Sequence, residues 1–413
     1  MIERSNRSKR QNFFLVLMLG ALNTITPFSI DMYLPGFPAI AKDLHTSISN
    51  VALSVSTYFL GFAAGQIMYG PLLDRFGRKR PLYIGLSLYI LASIACIFAG
   101  SINLFLLARF FQALTGCVAS VAAMAMVRDF FPVDKSAKII SLLVLILGAS
   151  PLLAPTIGSI IITSLGWQWV FATLALIVLI ILAQTFFFLP EGHMPDTTVS
   201  LKPAPIIKGF REILTRRQFY IYALAGTFSF AGLFVYVAGS PVIFMESFHL
   251  NARAYGGVFA FLSIGFIGGS QFNHLLSRRW TSEEIFRTAV IVQVAASLLY
   301  VWGVYNDWYG LTGNIAFLFV ILACAGLTYP NAASIAMAPF STNAGSASAL
   351  LGFIQIGIGG LISAGAGLIH LKGSLSTSIT MGFSSLTALA FILIGGKGIV
   401  KPVPGTAPIR GSH

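Results

Sequence analysis

The sequence predicts an all-α membrane protein with twelve transmembrane helices in two pseudo-symmetric six-helix bundles. Three observations predict it. Of 413 residues, 56% are hydrophobic and only 9% are charged, and the mean hydropathy is +0.83. A soluble domain carries roughly 25% charged residues, so this composition cannot cover a water-exposed surface. Apolar stretches of about 20 residues, the length that crosses the hydrocarbon of a bilayer, recur twelve times along the chain. Finally, two segments of the first half return in the second half at a nearly constant offset.

The first span, 13–36, follows Arg4, Arg7, Lys9 and Arg10. A basic tail before an apolar run resembles a signal peptide, but the run is too long and lacks a small-residue cleavage site, so it reads as a retained helix. Spans 49–70, 82–100, 104–127, 139–164 and 167–189 complete the first set of six. The longest polar interruption runs from Glu191 to Arg217, with Pro195, Pro203, Pro205 and five basic residues. It divides the chain into a bundle at 1–190, a linker at 191–217 and a second bundle at 218–413. The second set is 219–243, 255–276, 286–305, 312–332, 346–368 and 374–396. Cys96, Cys117 and Cys324 each sit in an apolar stretch, which gives no disulfide framework and no metal spacing.

Lys and Arg excess marks the cytoplasmic loops of membrane proteins. The chain has 26 Lys+Arg against 13 Asp+Glu. With the N-terminus inside, all the basic residues except Lys42, Arg253 and Lys372 in outer loops and Arg109 within a span fall on the inner side. Both termini are therefore expected in the cytoplasm, and topology accounts for the basic balance, with attraction to anionic membrane lipid as a by-product. Nucleic acid is not an expected partner.

The internal echo pairs Tyr33-Leu-Pro-Gly-Phe-Pro-Ala-Ile40, which closes the first span, with Tyr236-Val-Ala-Gly-Ser-Pro-Val-Ile243, which closes the seventh. A second pairs Gly65 to Arg75 with Gly269 to Arg279. In register with the six-plus-six division, they argue for a duplicated bundle, an architecture that supports alternating access by rocking about a midplane cavity.

The turn after the second span reads Gly70-Pro71-Leu72-Leu73-Asp74-Arg75-Phe76-Gly77-Arg78-Lys79-Arg80. Gly70 is expected to let the helix end pack closely, Gly77 to allow the reversal of the backbone, and Asp74 to cap a helix or accept hydrogen bonds from the arginines. This segment resembles the motif between the second and third helices of the major facilitator superfamily. Asp31-Met-Tyr-Leu-Pro35, Arg109-Phe-Phe-Gln112, Arg128-Asp129 and Ser229-Phe-Ala-Gly232 resemble its drug:proton antiporters, in the branch of the bicyclomycin-resistance proteins and chloramphenicol exporters. The resemblance implies twelve helices and export of small molecules, driven by proton influx with no cofactor.

Departures from the family pattern are local. The antiporter motif of the fifth span appears as Ala154-Pro155 and Gly158-Ser159, in which small residues replace two glycines and the Pro155 kink and close packing at Gly158 are kept. In the fourth-span motif Ala113 replaces a glycine. The superfamily's cytoplasmic latch joins the Asp and Arg of the turn to an acid ending helix four and an arginine on helix eleven. Asp74, Arg78 and Asp129 match the first three, but no Lys or Arg lies between Arg287 and Lys372.

Ionisable residues inside a span are costly and mark functional sites. Asp31 and Arg109 are the two candidates, expected to carry proton coupling. Asp31 lies roughly 28 Å along the first helix and Arg109 roughly 9 Å below the outer surface, both in the outer half, where they can pair directly or through water. Tyr33, Gln112, Phe230, Phe234, Tyr236, Asn331 and Gln355 supply the aromatic and polar points from which a substrate cavity is composed.

The chain has no phosphate loop, which excludes ATP as the energy source, and its six histidines have no metal-binding spacing. No catalytic centre is visible, so the chain is not read as an enzyme. The expectation is a monomeric, proton-driven exporter of small hydrophobic or amphipathic molecules in the bacterial inner membrane. Two alternatives stay open: an exporter of a native amino acid, peptide or siderophore, and a membrane sensor or scaffold on the same fold that transports nothing.

Overall fold

The computed structural model describes residues 9–131, 133–192, 195–196, 203–340, 344–369, 371 and 373–395. The basic tails before Lys9 and after Gly395 lie outside them. The helices run in chain order as α1 (Lys9–Asp31), α2 (Phe37–Asp43), α3 (Ile48–Phe76), α4 (Lys79–Ile97), α5 (Ile102–Phe130), α6 (Val133–Leu165), α7 (Gln168–Phe188), α8 (Pro203–Leu214), α9 (Arg217–Pro241), α10 (Ala252–Leu276), α11 (Ser282–Tyr305), α12 (Leu311–Met337), α13 (Ala344–Leu368) and α14 (Leu375–Gly395). All but α2 and α8 are long. Eleven helical stretches are apolar enough to cross a membrane by length and composition, and the 33-residue α6 is the twelfth. Phe98, Phe187 and Ile394 are more than 70% exposed, which water would penalise and lipid would not.

Local chemistry sets the helix ends. Ser47 and Ser101 accept hydrogen bonds from the amides of Asn50 and Leu104, and Thr281 with Glu284 forms a capping box before α11. The first span differs from the sequence reading. α1 ends at Asp31, and the chain passes through a 3₁₀ turn, Leu34–Gly36, into α2. Pro35 cannot donate to an α-helical ladder, which accounts for the break. The second span is longer than expected. α3 continues through Pro71 to Phe76 and stops only at Gly77, whose φ of +80° suits glycine. Gly70, Asp74 and Arg75 therefore ride on the end of the helix and are not in a turn. At 29 residues α3 is roughly 44 Å long, which carries its last turns beyond the hydrocarbon.

The chain divides into two compact units, Met1–Lys202 with Ala252–Gly256, and Pro203–Asn251 with Gly257–His413. In the first, α5 packs on α3 and α4, α4 on α7, and α1 on α5 and α6. In the second, α9 packs on α12, α13 and α14, and α11 on α12 and α14. The segment read as a linker contains a helix, α8, started by Pro203.

The same close approach is built twice. A Cβ on Gly61 would lie 2.2 Å from the Phe110 carbonyl oxygen, and one on Gly65 2.8 Å from that of Leu114. In the second unit, a Cβ on Gly265 would lie 3.0 Å from the Phe319 oxygen and one on Gly269 2.1 Å from that of Ala323. Gly61 and Gly65 on α3 thus correspond to Gly265 and Gly269 on α10. In that register Arg109, one residue before Phe110, corresponds to Leu318, one before Phe319.

Candidate functional site

The break after Asp31 leaves the last carbonyls of α1 without helical partners. One of them, that of Ser29, accepts a hydrogen bond from Arg109 Nη2 at 2.9 Å. Arg109 is fully buried on α5. Its Nη1 donates to Gln112 Oε1, one turn along the helix, and Gln112 Nε2 donates to Ser93 Oγ on α4 at 2.7 Å. The guanidinium lies between two aromatic faces, 4.3 Å from the Tyr33 ring and 4.4 Å from the Tyr58 ring on α3, with Phe171 of α7 at 5.6 Å. Tyr33 is itself fixed by a 2.7 Å hydrogen bond to Ser54, and Ser29 Oγ lies 2.5 Å from Tyr89 Oη.

Among the described residues, no carboxylate forms an ion pair with Arg109. Burying a charge costs several kcal/mol. Two charge-assisted hydrogen bonds contribute about 1.5–3 kcal/mol each, and each desolvated cation–π contact contributes up to about 2 kcal/mol. Together these offset the cost without an acid. Arg109 Nε has no hydrogen-bond partner among the described residues, and the Tyr58 hydroxyl lies close to Ser29 and Thr26.

Asp31 is 5% exposed and, among the described residues, makes no hydrogen bond or ion pair. Of the two arrangements left open, direct pairing with Arg109 is therefore not present among the described residues. The guanidinium instead reaches back to the Ser29 carbonyl and is sandwiched by rings. The backbone next to Asp31 is held by α6: a Cβ on Gly158 would lie 1.8 Å from the Met32 carbonyl oxygen. Pro155, one turn earlier, lies buried inside α6. Gly158 thus sits where any side chain would push the end of α1 away.

At the Gly77 end of α3 a second cluster forms. Arg78 donates from Nη1 to Asp74 at 2.7 Å and from Nε to Asp129, at the end of α5, at 2.8 Å. Its backbone N–H donates to Glu191 Oε1 at 2.7 Å, and the Asp196 amide donates to the Asp74 carbonyl at 3.2 Å. A Cβ on Gly192 would touch Asp129 Oδ2 at 2.9 Å. Burial lowers the proton affinity of Arg78, and the hydrogen bonds to Asp129 and Asp74 outweigh it, so the guanidinium is held above its ordinary pKa and stays charged. Arg75 rests over the Phe76 ring at 5.9 Å. Gly70 does not serve the close packing expected of it, because nothing lies within 4 Å of where its Cβ would be.

The remaining candidates lie in the second unit. Phe230 packs edge-on against Phe234 and at 4.6 Å against Tyr329. Phe234 lies against Gly359, where a Cβ would meet the ring at 2.2 Å. Tyr236 stacks on Phe259, and Asn331 donates to Asn273 at 2.6 Å. Gln355 is buried with Nε2 lacking a partner among the described residues. Of these five only Phe230 is partly exposed. The structure thus gathers Asp31, Tyr33, Arg109, Gln112 and Gly158 in the first unit, and Asp74, Arg78 and Asp129 at its end. Sequence reasoning missed Tyr58, Ser29, Ser93 and Glu191. Only Glu191, an acid just after a span, carried a signal.

A family model of the Major Facilitator Superfamily matches residues 19–364. The chain belongs to the major facilitator superfamily. It is a multi-pass membrane transporter of small molecules and not an enzyme, related to the drug-resistance exporters of that superfamily. It is 27% identical over 400 residues to a bicyclomycin resistance protein homolog of Haemophilus influenzae, covering 95% of this chain and 98% of that protein. It is 32% identical to the multidrug resistance protein MdtL of Escherichia coli O127:H6, over 81% of this chain and 84% of that protein. Among solved structures, a D-xylose-proton symporter superposes with a TM-score of 0.72 at 15% identity, over 96% of this facilitator and 99% of that chain. The symporter shows the shared fold.

Proposed function

We propose that this facilitator is a proton-coupled antiporter that exports small hydrophobic or amphipathic molecules, bicyclomycin-like drugs among them, across the bacterial inner membrane. It works as a monomer with both termini in the cytoplasm, and its halves, 1–190 and 218–413, rock about the 191–217 linker. The observation that carries this reading is Asp31, a buried acid in a spanning helix that has no partner among the described residues, in the same bundle as an arginine that pairs with no acid among them. A carboxyl locked in an ion pair cannot exchange its proton for a substrate, and Asp31 is not locked. Arg109, held by Gln112 and Tyr33, is a fully buried cation of that bundle. Substrate entering from the cytoplasm displaces the proton from Asp31, and a proton arriving from outside releases the substrate. The names of the relatives support the drug-export half of the reading.

The test is a transport screen in proteoliposomes with an imposed pH gradient, bicyclomycin included, followed by substrate-induced proton release from purified protein. Wild type is expected to release protons on binding substrate, and Asp31→Asn to bind without release. Unchanged release in the variant would reject Asp31 as the coupling group, and pH-independent flux would reject the antiport reading.

A further inference from the structure

The linker helix α8 has an apolar arc that is only half used. Ile207, Phe210, Ile213 and Leu214 fall on one side of it. Ile213 is 2% exposed among Phe219, Ile221 and Tyr222, and Phe210 packs on the same cluster. The other edge of the arc is open: Ile207 is 62% exposed and Leu214 43%. At about 100° per residue these two lie within about 20° of each other, and Arg211 follows about 40° beyond Ile207. Lys208, Arg211, Arg216 and Arg217 are all exposed, and from Pro203 to Arg217 the one acid is Glu212.

Connectivity says what is adjacent. α8 ends at Leu214, and the spanning helix α9 starts at Arg217, so α8 is joined within one turn to the boundary of the bilayer. An apolar edge rimmed by cations matches a leaflet surface, with acyl chains for the isoleucine and leucine and phosphodiesters for the basic groups. We propose that α8 is an interfacial helix that inserts Ile207 and Leu214 at the acyl boundary and binds anionic phospholipid headgroups through Lys208 and Arg211, helped by Arg216 and Arg217. The inference rests on the proposed orientation only for the choice of leaflet, the cytoplasmic one.

The test uses the full chain in nanodiscs of phosphatidylcholine with or without phosphatidylglycerol. Ile207→Cys carries a fluorophore, and the native cysteines Cys96, Cys117 and Cys324 are buried. Quenching by brominated acyl chains is compared with quenching by aqueous iodide. Bromine quenching at least about twofold stronger with phosphatidylglycerol, and lost when Lys208→Gln and Arg211→Gln are added, is the expected result. Iodide quenching that is equal in both lipids, with none from bromine, would overturn the proposal and mean that the edge is solvated or covered by protein. Bromine quenching indifferent to lipid charge and to the two substitutions would overturn the headgroup assignment. The replaced side chains are exposed, so folding is not at stake. Labelling of Ile207→Cys by an impermeant thiol reagent only from the periplasmic side would refute the orientation while leaving the lipid contact to the quenching data.

Discussion

Arg109 is held by ring faces and carbonyl or amide oxygens, and this makes Tyr58 more consequential than its chemistry suggests. Tyr58→Phe keeps the cation–π face and removes only a hydroxyl that lies near Ser29 and Thr26. We expect its thermal stability in detergent to stay within about 1 kcal/mol of wild type. Tyr58→Leu loses the face, and should lose about 1–2 kcal/mol and shift the pH profile of transport. Equal behaviour of the two variants would show that the ring does not position Arg109. Gly158→Ala forces a methyl into the Met32 carbonyl. Overpacking of this kind costs about 1–3 kcal/mol, and because it displaces the residue next to Asp31, proton-driven flux should fall further than stability does. A variant that melts as wild type and transports as wild type would refute that coupling. Asp31 and Arg109 were legible in the sequence because a charge in an apolar run has few structural reasons to exist. Tyr58 was not, because a tyrosine in a span is unremarkable until the fold brings an arginine onto it.

At the scale of elements, the cluster around Arg78 ties the ends of α3 and α5 to the first residues of the linker. Its two ion pairs are unequal: the Asp74 side chain is 53% exposed and that of Asp129 only 14%. A solvated pair is worth about 0.2–1 kcal/mol, while the less exposed one should couple more strongly. Double-mutant cycles read by thermal unfolding should therefore give a larger coupling for Arg78 with Asp129 than with Asp74. The reverse order would mean that the Glu191 strap, and not the burial of Asp129, fixes the cluster. The motif itself could be read from spacing, but its placement could not. The apolar run ends at residue 70, whereas the helix continues through Pro71 and the positive φ of Gly77 decides the terminus. Glu191 has a role that depends on the linker folding back onto Arg78, which no local pattern announces.

For the whole molecule, the duplicated glycine contacts predict duplicated behaviour. Gly65→Val and Gly269→Val should each loosen their own unit, seen as faster hydrogen exchange in α3 and α5 for the first and in α10 and α12 for the second. Exchange that rises evenly over both units would argue against two separately packed bundles. The twelve long helices were legible because hydrophobic length is a direct consequence of bilayer thickness. The sequence echo is sparse, at Tyr, Pro, Ile and Arg as well as glycine, and only the structure shows that its Gly65 and Gly269 sit where backbones touch. The candidate cavity residues of the second unit were the least legible, since aromatic residues in a membrane protein face lipid, pack helices or line sites with the same composition.

The counterpart of Arg109 in the second unit is Leu318. A membrane voltage acts only on charge, at about 2.3 kcal/mol per elementary charge per 100 mV. Because the ionisable residues deep in the spans, Asp31 and Arg109, both belong to the first bundle, an electrical driving force has a grip on one half of the molecule and none on the interior of the other. The duplication copied the scaffold, and two charge differences, Arg109 against Leu318 and Asp31 against Phe234, made one copy the electrode.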